Sequence, residues 1–539
     1  MTFKFQDHID HKRDTGDTPV SKPIPGKNMK ENNTGGFVFA TPTLKQLERF
    51  LVLGTEGGTY YVSEKKLTKD NVKALTQALK DNYHGAIDLI VDISVNARCI
   101  KNETCIFALA YAASNEETHV RKYALSKLKE VCRIGTHLFA FMEYSKYFRG
   151  RGRLFNNALK DWYLSKDPRD LAYQLVKYQQ RNGWAHRDVL RLCKPVPTSN
   201  VVSTALRWAV KKQVDMELLK TQRDLDNIIG FELLKQADDL GDVIDLIEQY
   251  HFPNRELIPT KWLAYPEVWH GLVINNMPYI AMLRNLGVMT ANGAIKPLDD
   301  MTAFIAKQIC GVFNIVNSKV HPMQILTAYL TYKSGHGFKG SLTWQPVKQI
   351  VDALHEAFYY SFKHVEPTGK KYLLCLDISS SMTWNCIGGL AGFTPRAASA
   401  VMAMVTMKSE ENYHIMGFSD SVTELNISKN DTLEQVIATI DKTRMGSTNI
   451  ASAIEYALKN KLDVDCFVIY TDNEVNQGRH VVSVLKEYRK KMNKPDAKLA
   501  VVAMEVNDCT IADPDDVNMM DFCGFDSNTP AAISAFCGG

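Results

Sequence analysis

Lys371-Tyr372-Leu373-Leu374-Cys375-Leu376-Asp377-Ile378-Ser379-Ser380-Ser381 is the stretch on which the reading of this chain turns. An unbroken apolar run, Tyr372 to Leu376, passes straight into oxygen-bearing side chains, as expected of a strand buried on both faces that ends in a polar loop. Towards the C-terminus the pattern alternates. Helical periodicity over 395–409 is followed by a strand-like run over 413–419, helices over 433–443 and 450–460, a strand over 465–473, a helix over 479–492, a strand over 498–507 and a closing helix over 529–537. Buried strands alternating with amphipathic helices predict a doubly wound α/β domain with a parallel sheet over residues 364–539.

Towards the N-terminus the pattern is different. From Thr43 to about residue 362, segments with apolar residues at three and four spacing follow one another, each bounded by Gly, Asn, Ser or Asp, with no strand run between them. So many helices exceed one bundle core, and the economical architecture is an all-α HEAT-like helical-repeat solenoid over residues 37–363. Residues 1–36, rich in Gly, Pro, Asn and charge without periodicity, are predicted to form a flexible N-terminal arm.

The 539 residues contain no run of about 18 consecutive apolar residues, and Met1 to Lys30 is polar, so the chain is read as neither secreted nor membrane-spanning. Eleven cysteines without a CxxC pair, several inside apolar runs, fit a reducing compartment. The glycosylation matches at Asn32, Asn102 and Asn426 are then chance. The net charge of +4 hides an asymmetry: residues 121–194 hold 17 Lys and Arg against 6 Asp and Glu. That clustering predicts a surface facing a polyanion.

In a doubly wound sheet, ligands bind beyond the carboxyl ends of the strands, where strand order reverses. Asp377, Ser379 and Ser381 stand at alternate positions in one such loop, Thr448 lies in another, and Asp472 ends a third. Carboxylates and hydroxyls together are hard-oxygen ligands for Mg or Mn and ill-suited to zinc. This constellation resembles the von Willebrand factor A fold with its metal-ion-dependent adhesion site, over residues 371–539. The resemblance implies a divalent cation held by those five residues, with its coordination completed by a protein partner's carboxylate. The segment Met382 to Pro395 is a longer insertion than the simplest A domains carry.

The densest basic stretch is Lys146, Arg149, Arg151 and Arg153, with Gly150 and Gly152 letting the backbone come close to a partner; phosphate is its natural neutraliser. In the next helix Phe155, Leu159, Trp162 and Tyr163 read as core and Lys160 lies on the other face. A second cluster is Lys177, Arg181, Trp184, His186, Arg187 and Arg191. There Asn182-Gly183 is read as a helix end and Trp184 to Arg187 as the next helix start, a corner able to hold phosphates and unpaired bases. These two runs, Met277 to Gly287 and the A-type tail together resemble the TROVE family of RNA-binding proteins. The resemblance covers nearly the whole chain. It implies a ring of HEAT-like helices closed by the A domain, bound to small noncoding Y RNAs and to the single-stranded ends of misfolded RNAs. It further implies a monomer within a ribonucleoprotein, serving RNA quality control in the cytoplasm with some nuclear presence.

Two other classes compete. A protein adaptor would use the A domain and solenoid without RNA, against which the basic segment argues. An enzyme finds little support: Gly335, Gly337 and Gly340 match a dinucleotide fingerprint only as text, no Walker A loop, GxSxG or HExxH is present, and no general base stands out. The expectation is a non-enzyme.

Overall fold

The stretch 372–377 forms β1, buried at every position (Tyr372–Asp377). Five more strands join it: β2 (Tyr413–Phe418), β3 (Val422–Glu424), β4 (Cys466–Thr471), β5 (Lys498–Ala503) and β6 (Met519–Cys523). Their order is β6-β5-β4-β1-β2-β3, parallel throughout except for β3, which runs antiparallel on the β2 edge. After β1 the chain steps to β2 on one side and later returns to β4 on the other, so strand order reverses between β1 and β4. The helices Pro395–Ser409, Leu433–Asp441, Ser452–Lys459, Val481–Lys491 and Thr529–Gly538 complete the domain. Two strands of this sheet escaped the sequence reading. β3 is too short for alternation to show, and β6 carries Asp521 inside an otherwise apolar run.

This computed structural model describes residues 17–54, 64–148, 152–197, 199–211, 221–337, 341–362, 365–384, 386–387, 393–443 and 446–539. They fall into two units, one combining the chain up to Asp81 with Phe362–Gly539, the other spanning Asn82–Ser361. The predicted boundaries at residues 36 and 363 therefore need correction at the N-terminal end. Residues 17–36 are no loose arm. Val20 and Ile24 are buried in the same apolar cluster as Leu373, Phe467 and Val501, and Phe37–Ala40 forms a strand between Lys30–Glu31 and Cys509–Thr510. Gly36 passes so close to the Val475 carbonyl that a Cβ there would lie 2.0 Å from the oxygen, so no other residue fits. The helix Thr43–Leu53, assigned by periodicity to the solenoid, also belongs here. Its Arg49 is fully buried, donating to Asp521 at 2.6 Å, to the Cys509 carbonyl at 2.7 Å and to Asn507.

The unit 82–361 is helical, as the periodicity predicts. The long helical run Glu64–Val95 breaks at Asn82, whose side chain accepts from the Gly85 amide at 2.9 Å and starts the second half. Helices close in sequence then pack on one another, among them Glu103–Ala112 on Gly135–Lys146, and Asp300–Cys310 and Pro322–Ser334 on Lys348–Tyr360. Lys319 donates to the Val95 carbonyl at 3.0 Å, so the helical array curves far enough for distant parts of the sequence to meet. Gly335 caps Pro322–Ser334 in the left-handed region, so the segment before the three glycines is a helix, as the sequence reading has it; Gly340 lies outside the described residues. No helix among the described residues is long and apolar enough to cross a membrane.

Candidate functional site

The reversal between β1 and β4 brings three loops together. Asp377 is the last residue of β1, and Asp472 directly follows β4. Thr471 donates its hydroxyl to Asp377 Oδ2 at 2.7 Å, and the Ser379 amide donates to Asp377 Oδ1 at 2.9 Å. Ser379 and Ser381 hydroxyls sit 3.1 Å apart. The Ser380 amide donates to the Gly446 carbonyl at 3.4 Å, and Asn476 bonds both the amide and the carbonyl of Thr448, so the threonine loop is tied to its neighbours. All five sequence candidates, Asp377, Ser379, Ser381, Thr448 and Asp472, lie at this one place, none more than 2 % exposed.

The electrostatics suit a cation. Burial, reinforced by Asp472, pushes the Asp377 carboxyl up to about 7, and burial raises Asp472. Asp472 Oδ2 is buried with no hydrogen-bond partner. Such an oxygen in a low-dielectric interior calls for a counter-charge. The donor set has two carboxylates and three hydroxyls, all hard oxygen, so the residues present fit Mg or Mn. Among the described residues no three His, Cys, Asp or Glu side chains form a ready-made metal cage, so a cation here would need the hydroxyls among its ligands. Of the insertion after the motif, Ser380–Thr383 forms a tight 3-10 turn and leaves Trp384 exposed. Residues 385 and 388–392 lie outside the described residues.

Sequence reasoning missed the acids behind the motif. Glu474 accepts from the Asn33 amide at 2.9 Å and its side chain at 2.5 Å, while burial raises it to about 7. Glu505, two residues beyond β5, is raised further by burial and by Asp472, Glu474 and Asp377. Asn507 donates to the Asp472 carbonyl and accepts from Arg49, linking the N-terminal helix to the site. The Asp472-Asn473-Glu474 run was visible in sequence; the contribution of Asn33 was not, because more than 400 residues separate the partners.

The basic segment lies in the helical unit, and its local fold differs from the prediction. Asn182 and Gly183 have φ of 53° and 76°, and they join the strands Gln180–Arg181 and Trp184–Ala185 in a two-residue hairpin, not a helix end. Arg181 is exposed and reaches Glu103 at 3.4 Å. Trp184 donates its indole N–H to Glu143 at 2.9 Å, and Lys146 sits both on Glu143, at 2.7 Å, and over the Trp184 ring, at 5.0 Å. Lys146 and Trp184 hold Glu143 below the usual carboxylate range. Arg187 and Arg191 are exposed one turn apart on the helix His186–Cys193, Arg187 with Asp188 at 3.7 Å. Exposed pairs of this kind are weak and exchange readily for phosphate.

His186 is 3 % exposed and packs against Phe139, so its side chain is a core group and not a contact surface. Lys177 is half-buried, its ammonium held by the Tyr173 hydroxyl at 2.8 Å and lying over the Tyr173 and Tyr178 rings. Lys160 is half-buried, whereas Arg153 is exposed in the first turn of Arg153–Leu164, whose Trp162 and Tyr163 are buried as expected. Arg149 and Arg151 lie outside the described residues.

Comparison with known proteins joins these two sites in one lineage. Residues 30–240 and 251–331 match the TROVE domain, and 371–537 match the Ro60 vWA domain. The RNA-binding protein RO60 of Caenorhabditis elegans is 32% identical over 94% of this chain and 90% of its own length. The RNA-binding protein RO60 of Deinococcus radiodurans is 33% identical over 94% of this chain and 95% of its own. The crystal structure of the Deinococcus radiodurans RO (RSR) protein superposes with a TM-score of 0.67 at 32% identity, covering 92% of this chain and all of that one. With matches of this length across both the helical and the α/β parts, the chain belongs to the TROVE family, in the branch that carries the Ro60 vWA domain.

Proposed function

We propose that this chain is an RNA-binding protein that holds small noncoding RNAs on the basic surface of its helical unit. The observation that carries the reading is the pair of relatives, both named RNA-binding proteins and both aligned over 94% of the chain. The exposed Arg153, Arg181, Arg187 and Arg191, with Lys146 and Trp184 beside them, are the side chains suited to phosphates and an unpaired base. Within that class we assign Y RNAs and the single-stranded ends of misfolded RNAs as ligands, in RNA quality control, in the cytoplasm with some presence in the nucleus. The chain acts as a scaffold and not as an enzyme. A divalent cation, Mg or Mn, is assigned to Asp377, Ser379, Ser381, Thr448 and Asp472, where its charge offsets the buried carboxylates and braces the loops.

The test is binding of a hairpin RNA with a single-stranded 3′ tail, against duplex DNA of equal charge, over a salt series with and without EDTA. Tight, RNA-selective binding indifferent to EDTA is expected. Removing the charges of Arg149, Arg151 and Arg153 together should weaken binding and flatten its salt dependence by roughly 0.7–0.9 in log–log slope per lost phosphate contact. Equal, weak binding to both polyanions would sink the assignment.

A further inference from the structure

Asn32-Asn33-Thr34, a chance glycosylation match in the sequence, is bonded residue by residue to the loop that follows Asp472. Asn32 faces two ways. Its Oδ1 accepts from the amides of Thr34 at 3.0 Å and Gly36 at 2.8 Å, which closes a tight turn. Its Nδ2 donates to the Val475 carbonyl at 2.9 Å and lies 3.4 Å from the Asn473 carbonyl. The Thr34 hydroxyl, 2.9 Å from Asn32 Oδ1, donates to the same Val475 carbonyl at 3.0 Å. Asn33 donates its amide and its side chain to the Glu474 carboxylate between them. The loop 473–475 in turn holds Asp472. The Glu474 amide donates to Asp472 Oδ1 at 2.9 Å, while Oδ2 is buried with no hydrogen-bond partner. Asn473 joins the two at a φ of 63°, in the left-handed region that residues other than glycine adopt sparingly.

We infer that Asn32, Asn33 and Thr34 are positioning residues of the cation site, holding the loop 473–475 so that Asp472 gives Oδ1 to the Glu474 amide and keeps Oδ2 for the cation. The inference rests on the assignment of a cation to Asp377 and its neighbours. A left-handed Asn473 needs its surroundings to hold it, and without the turn its backbone relaxes and carries the Glu474 amide away from Oδ1. Asp472 must then be ordered at the expense of binding, which lowers affinity without removing a ligand. The fit of the turn is close, since Gly36 leaves no room for a side chain beside the Val475 carbonyl. On the other side of Asp472, its carbonyl accepts from Asn507, which Arg49 holds. Both flanks of this ligand are therefore fixed by residues more than 400 positions away in sequence.

Manganese titrated into the full-length protein, read by loss of the free-ion electron paramagnetic resonance signal, tests this well below the melting temperature. Asn32→Ala should weaken manganese binding about tenfold or more and alter the zero-field splitting of the bound ion, a signature that lost stability alone does not move. Thr34→Val, which keeps the bulk and loses the hydroxyl, should weaken binding in the same sense, and Thr34→Ser should restore it. Binding of tailed hairpin RNA, unchanged in each variant, checks that the protein is folded. Wild-type manganese affinity in a folded Asn32→Ala protein, or in Thr34→Val where Asn32→Ala does not fold, would overturn the inference, as would a Thr34→Ser protein as weak as Thr34→Val. A folded Asp377→Ala protein that binds manganese like wild type would instead overturn the cation assignment itself.

Discussion

His186 shows how a single side chain can mislead when only its neighbours in sequence are known. Flanked by Trp184, Arg187 and Arg191, it reads as part of a contact surface; in the structure its Nε2 faces the Gln174 carbonyl at 3.3 Å and its Nδ1 the Tyr163 hydroxyl at 2.8 Å. A carbonyl only accepts, so Nε2 carries the proton and Nδ1 accepts from tyrosine. Replacing His186 by Ala removes a buried ring and strands the Tyr163 hydroxyl, while the Gln174 carbonyl keeps the Tyr178 amide, and should cost about 2–4 kcal/mol of stability. Denaturant unfolding should show that loss, while the folded fraction binds RNA like wild type; a stable variant with weakened RNA binding would restore His186 to the interface. The cation motif was legible for the opposite reason. Asp377, Ser379 and Ser381 are fixed relative to one another by four consecutive backbone steps, so spacing alone reports their geometry. Glu505 is set by strand register between β4 and β5, which no local spacing encodes.

The hairpin around Asn182-Gly183 carries the same lesson among elements. Its signal was present, since Asn-Gly is the strongest two-residue hairpin marker, but strands of two residues give no alternation and the flanking helices dominated the reading. The turn fixes the register Arg181 opposite Trp184, and so places Arg181 beside the Trp184, Lys146 and Glu143 cluster. Gly183, at φ of 76°, is in the left-handed region. Gly183→Val should therefore cost about 1–2 kcal/mol and misplace Arg181 and Trp184. The expected result is a small fall in melting temperature with a larger fall in affinity for tailed hairpin RNA. A fall in melting temperature with RNA affinity intact would remove the hairpin from the interface.

For the whole molecule, the α-then-α/β order was legible because periodicity changes from helical to strand-like near residue 364. The ownership of the N-terminus was not, since Phe37–Ala40 finds its partner strand at Cys509–Thr510, a pairing that sequence proximity cannot suggest. The consequence is physical: the α/β unit is discontinuous in sequence, with residues 82–361 inserted into it. A fragment beginning at residue 364 loses Val20, Ile24, Val38 and Phe39 from its apolar cluster. At roughly 1.5–3 kcal/mol for each side chain, that loss is comparable with the whole stability of a domain, about 5–15 kcal/mol. The fragment also loses Arg49, leaving the Asp521 carboxylate and the Cys509 carbonyl without their buried donor, and Asn33, leaving Glu474 without its two hydrogen bonds. Residues 364–539 alone should accordingly show no cooperative thermal transition. Joining residues 17–54 to their N-terminus through a flexible linker should restore one. Cooperative unfolding of the 364–539 fragment, at a melting temperature close to that of the linked form, would show that the N-terminal segment is an accessory and that the sheet supports the cation loops unaided.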